Sequence, residues 1–131
     1  MVMALAAVAA GGAGGTLLRD VALSIQHTPA LRSPHVAWPS QVPWVLLTIN
    51  FVGVVLATSL LRGPLRQHDP NDLTRLLLIT GFLGGFTSYS SLFTSLALIW
   101  HLSVVASLAV GFFAVGSGVV AAWLGLQVPR R

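Results

Sequence analysis

Four apolar stretches, at about residues 2–25, 42–61, 73–100 and 102–128, take up nearly all of this 131-residue chain. Each reaches the roughly 20 residues needed to cross about 30 Å of hydrocarbon. With 55% hydrophobic residues, 8% charged and a mean hydropathy of +0.84, little chain is left over for a soluble domain. The first stretch lacks a basic leading region and runs too long for a signal peptide, so it is expected to be a span. The expected fold is an all-α membrane protein: one domain over 1–131 with four transmembrane helices.

The third stretch is interrupted. Gly81-Phe82-Leu83-Gly84-Gly85-Phe86-Thr87-Ser88-Tyr89-Ser90-Ser91 places three glycines and then four aliphatic hydroxyls inside it. In lipid every backbone polar group needs a partner within the protein, so an irregular patch survives only where it is packed or lines a wet path. A third helix broken mid-membrane is therefore expected, at the depth where small solutes or ions are handled.

The charges are seven arginines and three aspartates, with no lysine or glutamate, and the pI is about 11.6. In a soluble protein that imbalance would suggest nucleic acid. Here the arginines sit mostly at span ends, where they anchor to headgroups and set orientation, and no nucleic-acid partner is expected. With four spans, the N-terminus, the second loop and the C-terminus share one side, which carries Arg62, Arg66, Arg130 and Arg131, with Arg75 just inside. The other side has Arg32, plus Arg19 if the first span ends there. Positive residues stay inside, so both termini are expected to be cytoplasmic. Trp38, Trp44, Trp100 and Trp123 lie near span ends, as an aromatic belt requires. The proline-rich first loop (27–41) contains Arg32 and His35, and the second (62–72) contains Pro64, Asp69 and Pro70. The turn near Trp100-His101 is short, so the last two spans should form an antiparallel hairpin.

Polar and small residues within the spans mark candidate sites. Gly11-Gly12-Ala13-Gly14-Gly15 presents small side chains at i and i+4, a face that lets membrane helices approach closely. Arg19-Asp20 reads either as a neutralised interfacial pair or as a positive element drawing anions to a vestibule. Asn50 is the strongly polar side chain deepest in the second span. It offers two N–H donors, for an interhelical hydrogen bond or for a permeation path. Thr87, Ser91, Thr94 and Ser95 would share one face of a helix as a hydroxyl ladder, suited to an ion that needs substitute hydration without proton exchange. The alternative is back-bonding to their own i−4 carbonyls.

The absences exclude other classes. There is no buried acid for a proton-coupled drug exporter, no cysteine for disulfide or thiol chemistry, and only histidines at loops or span ends, which argues against a side-chain metal site. No nucleophile–base pair can be assembled, so an enzyme is not expected.

Three segments carry a resemblance: Gly11-Gly12-Ala13-Gly14-Gly15-Thr16-Leu17-Leu18-Arg19, Asn50-Phe51-Val52-Gly53, and the run from Gly81 to Ser90. In order, spacing and chain length they resemble the Fluc/CrcB family of fluoride channels, over essentially the whole chain. The resemblance implies a four-helix subunit that works as an antiparallel, dual-topology dimer in a cell membrane and exports fluoride passively. It also implies pores along the dimer interface and a central sodium ion held by backbone carbonyls, which fall here on Gly84 and Thr87. The expected pore residues are Asn50, Ser88, Tyr89, Ser91, Thr94 and Arg19.

This chain also departs from the family pattern. Where the family's third helix reads Thr-Thr-Phe-Ser-Thr-Phe, this chain has Thr87-Ser88-Tyr89-Ser90-Ser91-Leu92. Tyr89 keeps a ring and adds a hydroxyl, whereas Leu92 offers no aromatic edge. Phe93, one residue later, is turned about 100° away on a helix. In the fourth span, Phe112 and Gly116 take the expected pore positions, with Ser107 and Ser117 off register. The arginine bias, four or five to one or two, also differs from the even balance that a dual-topology homodimer needs. Together these favour a related, oppositely oriented subunit over self-pairing. The alternative is a non-conducting structural partner in such a heterodimer.

Overall fold

The structure is a computed structural model that describes residues 1–25, 37–62, 65 and 72–128. The elements run α1 (Val2–Leu23), a 3-10 turn (Trp38–Gln41), α2 (Trp44–Arg62), α3 (Leu73–Arg75), a π-helix (Leu76–Leu83), α4 (Gly84–Phe86), α5 (Tyr89–Leu102) and α6 (Val104–Gln127). There is no strand among the described residues. Among the described residues, four helical stretches are long and apolar enough to cross a membrane: α1, α2, the broken third stretch Leu73–Leu102, and α6. The fold is all-α with four spans. His27, Arg32, His35, Pro64, Arg66, His68, Asp69, Pro70, Arg130 and Arg131 lie outside the described residues.

Local chemistry sets the helix ends. α2 starts at Trp44 because Pro43, which has no N–H to leave unpaired, stands just before it and accepts from Leu47 N at 2.9 Å. The third span starts on Asp72, whose carboxylate accepts from Thr74 N (2.9 Å) and Arg75 N (3.3 Å), satisfying two orphan amides of the first turn. It breaks at Thr87 (φ −83°, ψ 144°) and Ser88 (φ −149°, ψ 107°), both extended, and resumes as α5. The turn to the fourth span lies at Ser103, just past the expected Trp100-His101. Ser103 alone is extended there, and its hydroxyl accepts from Ala106 N at 3.2 Å. A serine can cap the following helix in this way, whereas His101 stays inside α5.

The spans pack as two groups. The α1 face of Gly11 and Gly15 meets Gly81 and Gly85 of the third span's leading half. A Cβ on Gly81 would lie 2.7 Å from Val8 O and 3.0 Å from Gly11 Cα, and one on Gly15 would lie 2.8 Å from Phe86 N. These neighbours are backbone atoms and cannot rotate aside. No described glycine has a positive φ, so these four serve close approach rather than turning. The eight-residue π-helix runs through this contact and lies where the hydropathy pattern reads as ordinary α-helix.

The second group is α2, α5 and α6, which enclose Leu46, Leu47, Leu92, Ile99, Val110 and Ala114. Ser107 Oγ ties α6 to α5 by donating to Leu96 O at 2.8 Å. Gly125 of α6 sits against Thr58 of α2. Outward faces are apolar, with Phe112, Phe113, Val119 and Trp123 exposed, as expected for surfaces facing lipid or another subunit.

Candidate functional site

The site is built on Asn50, in mid-α2 and 8% exposed. Its Oδ1 accepts from Ser88 N at 2.9 Å, and its Nδ2 donates to Ser88 O at 3.4 Å. One amide side chain thus holds both polar groups of a residue at the helix break, where the regular i→i−4 ladder has lapsed. The interhelical hydrogen bond anticipated for Asn50 exists, and its partner is backbone.

This clamp has a consequence for the carbonyls. In a continuous helix, Ser88 N–H would donate to Gly84 O, but here it goes to Asn50. Ser91 N–H would donate to Thr87 O, but here it goes to Ser88 Oγ at 3.2 Å. Gly84 and Thr87 thereby lose the amide partners that an unbroken helix would provide. Among the described residues, no three His, Asp or Glu side chains converge on a metal position, so a cation near the break has carbonyl and hydroxyl oxygens to use.

The hydroxyls divide into two sets. Ser88 Oγ is a hub, 3.1 Å from Ser90 Oγ and 2.9 Å from Ser91 Oγ. The others back-bond: Thr87 Oγ1 to Leu83 O (2.9 Å), Thr94 Oγ1 to Ser90 O (3.2 Å) and Ser95 Oγ to Ser91 O (3.1 Å). The expected ladder of Thr87, Ser91, Thr94 and Ser95 is therefore corrected. Thr87 precedes α5 and lies off its face, and three of the four hydroxyl protons are committed to carbonyls of their own span.

Between α2, α5 and α6 lies a crevice of about 10 Å³, near the space one water molecule needs, lined by Asn50, Phe51, Tyr89, Leu92, Ser117 and Gly118 among others. It brings Asn50 and Tyr89 together directly, and Ser88 and Ser91 through the clamp. Arg19 and Thr94 are not part of it. Arg19 stays on α1 with Nε 3.9 Å from Asp20 Oδ1, and Thr94 is exposed on α5. Leu92 is 4% exposed and packed in the subunit core, whereas Phe93 is 69% exposed and faces away, as the helical rotation required.

In the fourth span, Ser117 lines the crevice, while Phe112 and Gly116 are exposed, Phe112 on the groove between α5 and α6. Sequence reasoning missed Phe51, Ser117 and Gly118. Ser117 and Gly118 share one α6 face with Ala114, at i, i+3 and i+4, whereas Phe51 simply follows Asn50 on α2.

A family model described as CrcB-like protein, Camphor Resistance (CrcB), matches residues 6–126. The chain belongs to the CrcB family. Among CrcB relatives, a "Fluoride-specific ion channel FluC" of Pseudomonas putida is 36% identical over 134 aligned positions, 99% of each chain. One of Rhizobium leguminosarum bv. trifolii is 36% identical over 124 positions, 94% of this chain and 93% of the relative. A "Fluoride-specific ion channel FluC 1" of Natronomonas pharaonis is 36% identical over 116 positions, 86% of this chain and 87% of the relative. These relatives are named as ion channels, not enzymes. With four apolar spans, this CrcB chain is a multi-pass membrane protein.

Proposed function

We propose that this chain is a subunit of a fluoride channel, letting fluoride leave the cell passively across the cytoplasmic membrane. The observation that carries the proposal is the Asn50–Ser88 clamp beside a crevice about one water molecule in size. Fluoride is small and strongly hydrated, so a path must replace its water with N–H and O–H donors and positive aromatic edges. One of Asn50's two amide hydrogens goes to Ser88 O, and the other is left for the crevice. Rings from Phe51 and Tyr89 supply edges. No proton-exchanging acid lines this crevice, which suits passive flow. An inside-negative potential then drives an anion outward, by about 2.3 kcal/mol per charge per 100 mV.

The working unit is an antiparallel dimer with both termini of this chain inside, and a related, oppositely inserted subunit is the favoured partner. The break suits a sodium ion at the dimer centre, because the carbonyls of Gly84 and Thr87 have lost their helical amides. Freed carbonyls are suitable ligands for a hard monovalent cation. A bound cation would hold two broken helices together and add positive charge near the path. Here the chain's own contribution is made by Asn50 and Ser88, which hold the amides away from those oxygens.

The test is fluoride efflux from liposomes loaded with potassium fluoride, using the chain alone and the chain co-purified with a related subunit. Fast efflux that requires the partner supports the reading in full. Fast efflux from the chain alone supports the channel and removes the heterodimer. A second reading, a non-conducting structural subunit, is favoured by Leu92, which closes one crevice wall with an alkyl group. An assembled complex in which fluoride passes without this chain's Asn50 would establish that reading.

A further inference from the structure

The Tyr89 hydroxyl, like the second amide hydrogen of Asn50, is a polar group of this region with no hydrogen-bond partner among the described residues. Tyr89 is the first residue of α5, and its ring leans across to α6, where a Cβ added to Gly118 would sit 3.4 Å from the phenol oxygen. Its neighbours Ser88, Ser90 and Ser91 are hydrogen-bonded to one another, and Asn50 is bonded to Ser88. The Tyr89 O–H makes no hydrogen bond among the described residues. Tyr89 is half exposed on the subunit's surface, and at membrane depth a donor facing lipid or another subunit is costly unless something accepts from it.

Its position suggests what accepts. Tyr89 and Leu92 are the two residues that line both the Asn50 crevice and a wider groove of about 560 Å³ between α5 and α6. Of these two, only Tyr89 carries a polar atom. The Tyr89 ring thus stands at the boundary that groove and crevice share.

We propose that the Tyr89 O–H is a selectivity-determining donor of the path, binding a desolvated fluoride together with the second amide hydrogen of Asn50. Gly118 keeps the hydroxyl seated against α6. This inference rests on the fluoride-channel reading above and adds to it a named donor and its positioning residue. The chemistry favours the smallest halide. A hydroxyl donor gains most from a compact, hard acceptor, and a crevice of about 10 Å³ has little space for a larger ion.

The experiment measures fluoride efflux and the fluoride-to-chloride permeability ratio in liposomes for wild type, Tyr89→Phe, Gly118→Ala and the double variant. All are prepared in the subunit composition in which wild type conducts, with assembly followed by size-exclusion chromatography. Tyr89→Phe removes one oxygen and keeps the ring. The expected result is a roughly three- to tenfold fall in efflux and in permeability ratio, the scale of one lost hydrogen bond, with assembly unchanged. Gly118→Ala is expected to lower the ratio in the wild-type background and to have no further effect in the Tyr89→Phe background, since the two act through one hydroxyl. An unchanged ratio in Tyr89→Phe, or efflux lost only together with assembly, overturns the inference while the channel reading stands. If wild type moves no fluoride in any composition, the channel reading itself fails and the inference falls with it.

Discussion

At the scale of single residues, Asn50 matters through geometry as well as through its chemistry as a donor. Removing it leaves Ser88 N–H buried without its acceptor, a cost of about 1–3 kcal/mol. Asn50→Leu, close in volume, is expected to lower the melting temperature in detergent and to cut fluoride efflux at least tenfold. Asn50→Asp keeps the oxygen that accepts at 2.9 Å but loses the donor at 3.4 Å and buries a carboxyl group at membrane depth, so it too should melt below wild type and conduct poorly. Equal melting of all three proteins would refute the clamp. That Asn50 and the hydroxyl-rich run belong to one site was legible in the sequence, because both are polar interruptions at membrane depth. That Asn50 grips the Ser88 backbone was not, because the pairing spans 38 residues. It depends on how two helices are rotated toward each other.

At the scale of elements, the glycine contact between α1 and the third span is the most exacting packing in the chain. A Cβ at Gly15 would press on the backbone of the third span, and backbone in a packed helix pair gives way only by separating the helices. Gly15→Ala and Gly81→Ala are each expected to destabilise the subunit by about 1–3 kcal/mol, read as detergent melting. Gly14→Ala, whose Cβ would meet only Phe82 Cδ2 at an ordinary 3.8 Å, is expected to be tolerated. Similar losses at positions 14 and 15 would contradict the contact. The sequence showed the small-residue stripe but not which of its members meet backbone, since consecutive glycines have no side chains to set the rotation of the face. The π-helix had no visible signal either, because Leu76–Leu83 has the composition of any apolar helix. At Ser103 the joint was displaced for a simpler reason: a one-residue connection leaves almost no polar stretch to detect. Ser103→Ala removes the α6 cap and is expected to cost about 1 kcal/mol, seen as a lower melting temperature.

At the scale of the whole molecule, the proposed antiparallel dimer couples orientation to pairing, because a chain whose arginine bias inserts it one way would need a partner inserted the other way. The absence of native cysteine makes this testable with single introduced thiols. Gln127→Cys, at the exposed end of α6, is expected to react with a membrane-impermeant reagent only after the cells are opened. Labelling of half the molecules in intact cells would mean dual insertion and would remove the argument for a distinct partner.

Hydropathy and run length settled the four spans, and the glycine and hydroxyl run from Gly81 to Ser91 marked the break in the third. These are properties of local composition, and lipid enforces them wherever the chain is placed. The meeting of Asn50 with Ser88, the arrival of Ser117 rather than Gly116 at the crevice, and the seating of Tyr89 against Gly118 came only from folding. Each depends on helix rotation, and about 100° per residue is enough to exchange a crevice-facing group for an outward-facing one without changing hydropathy.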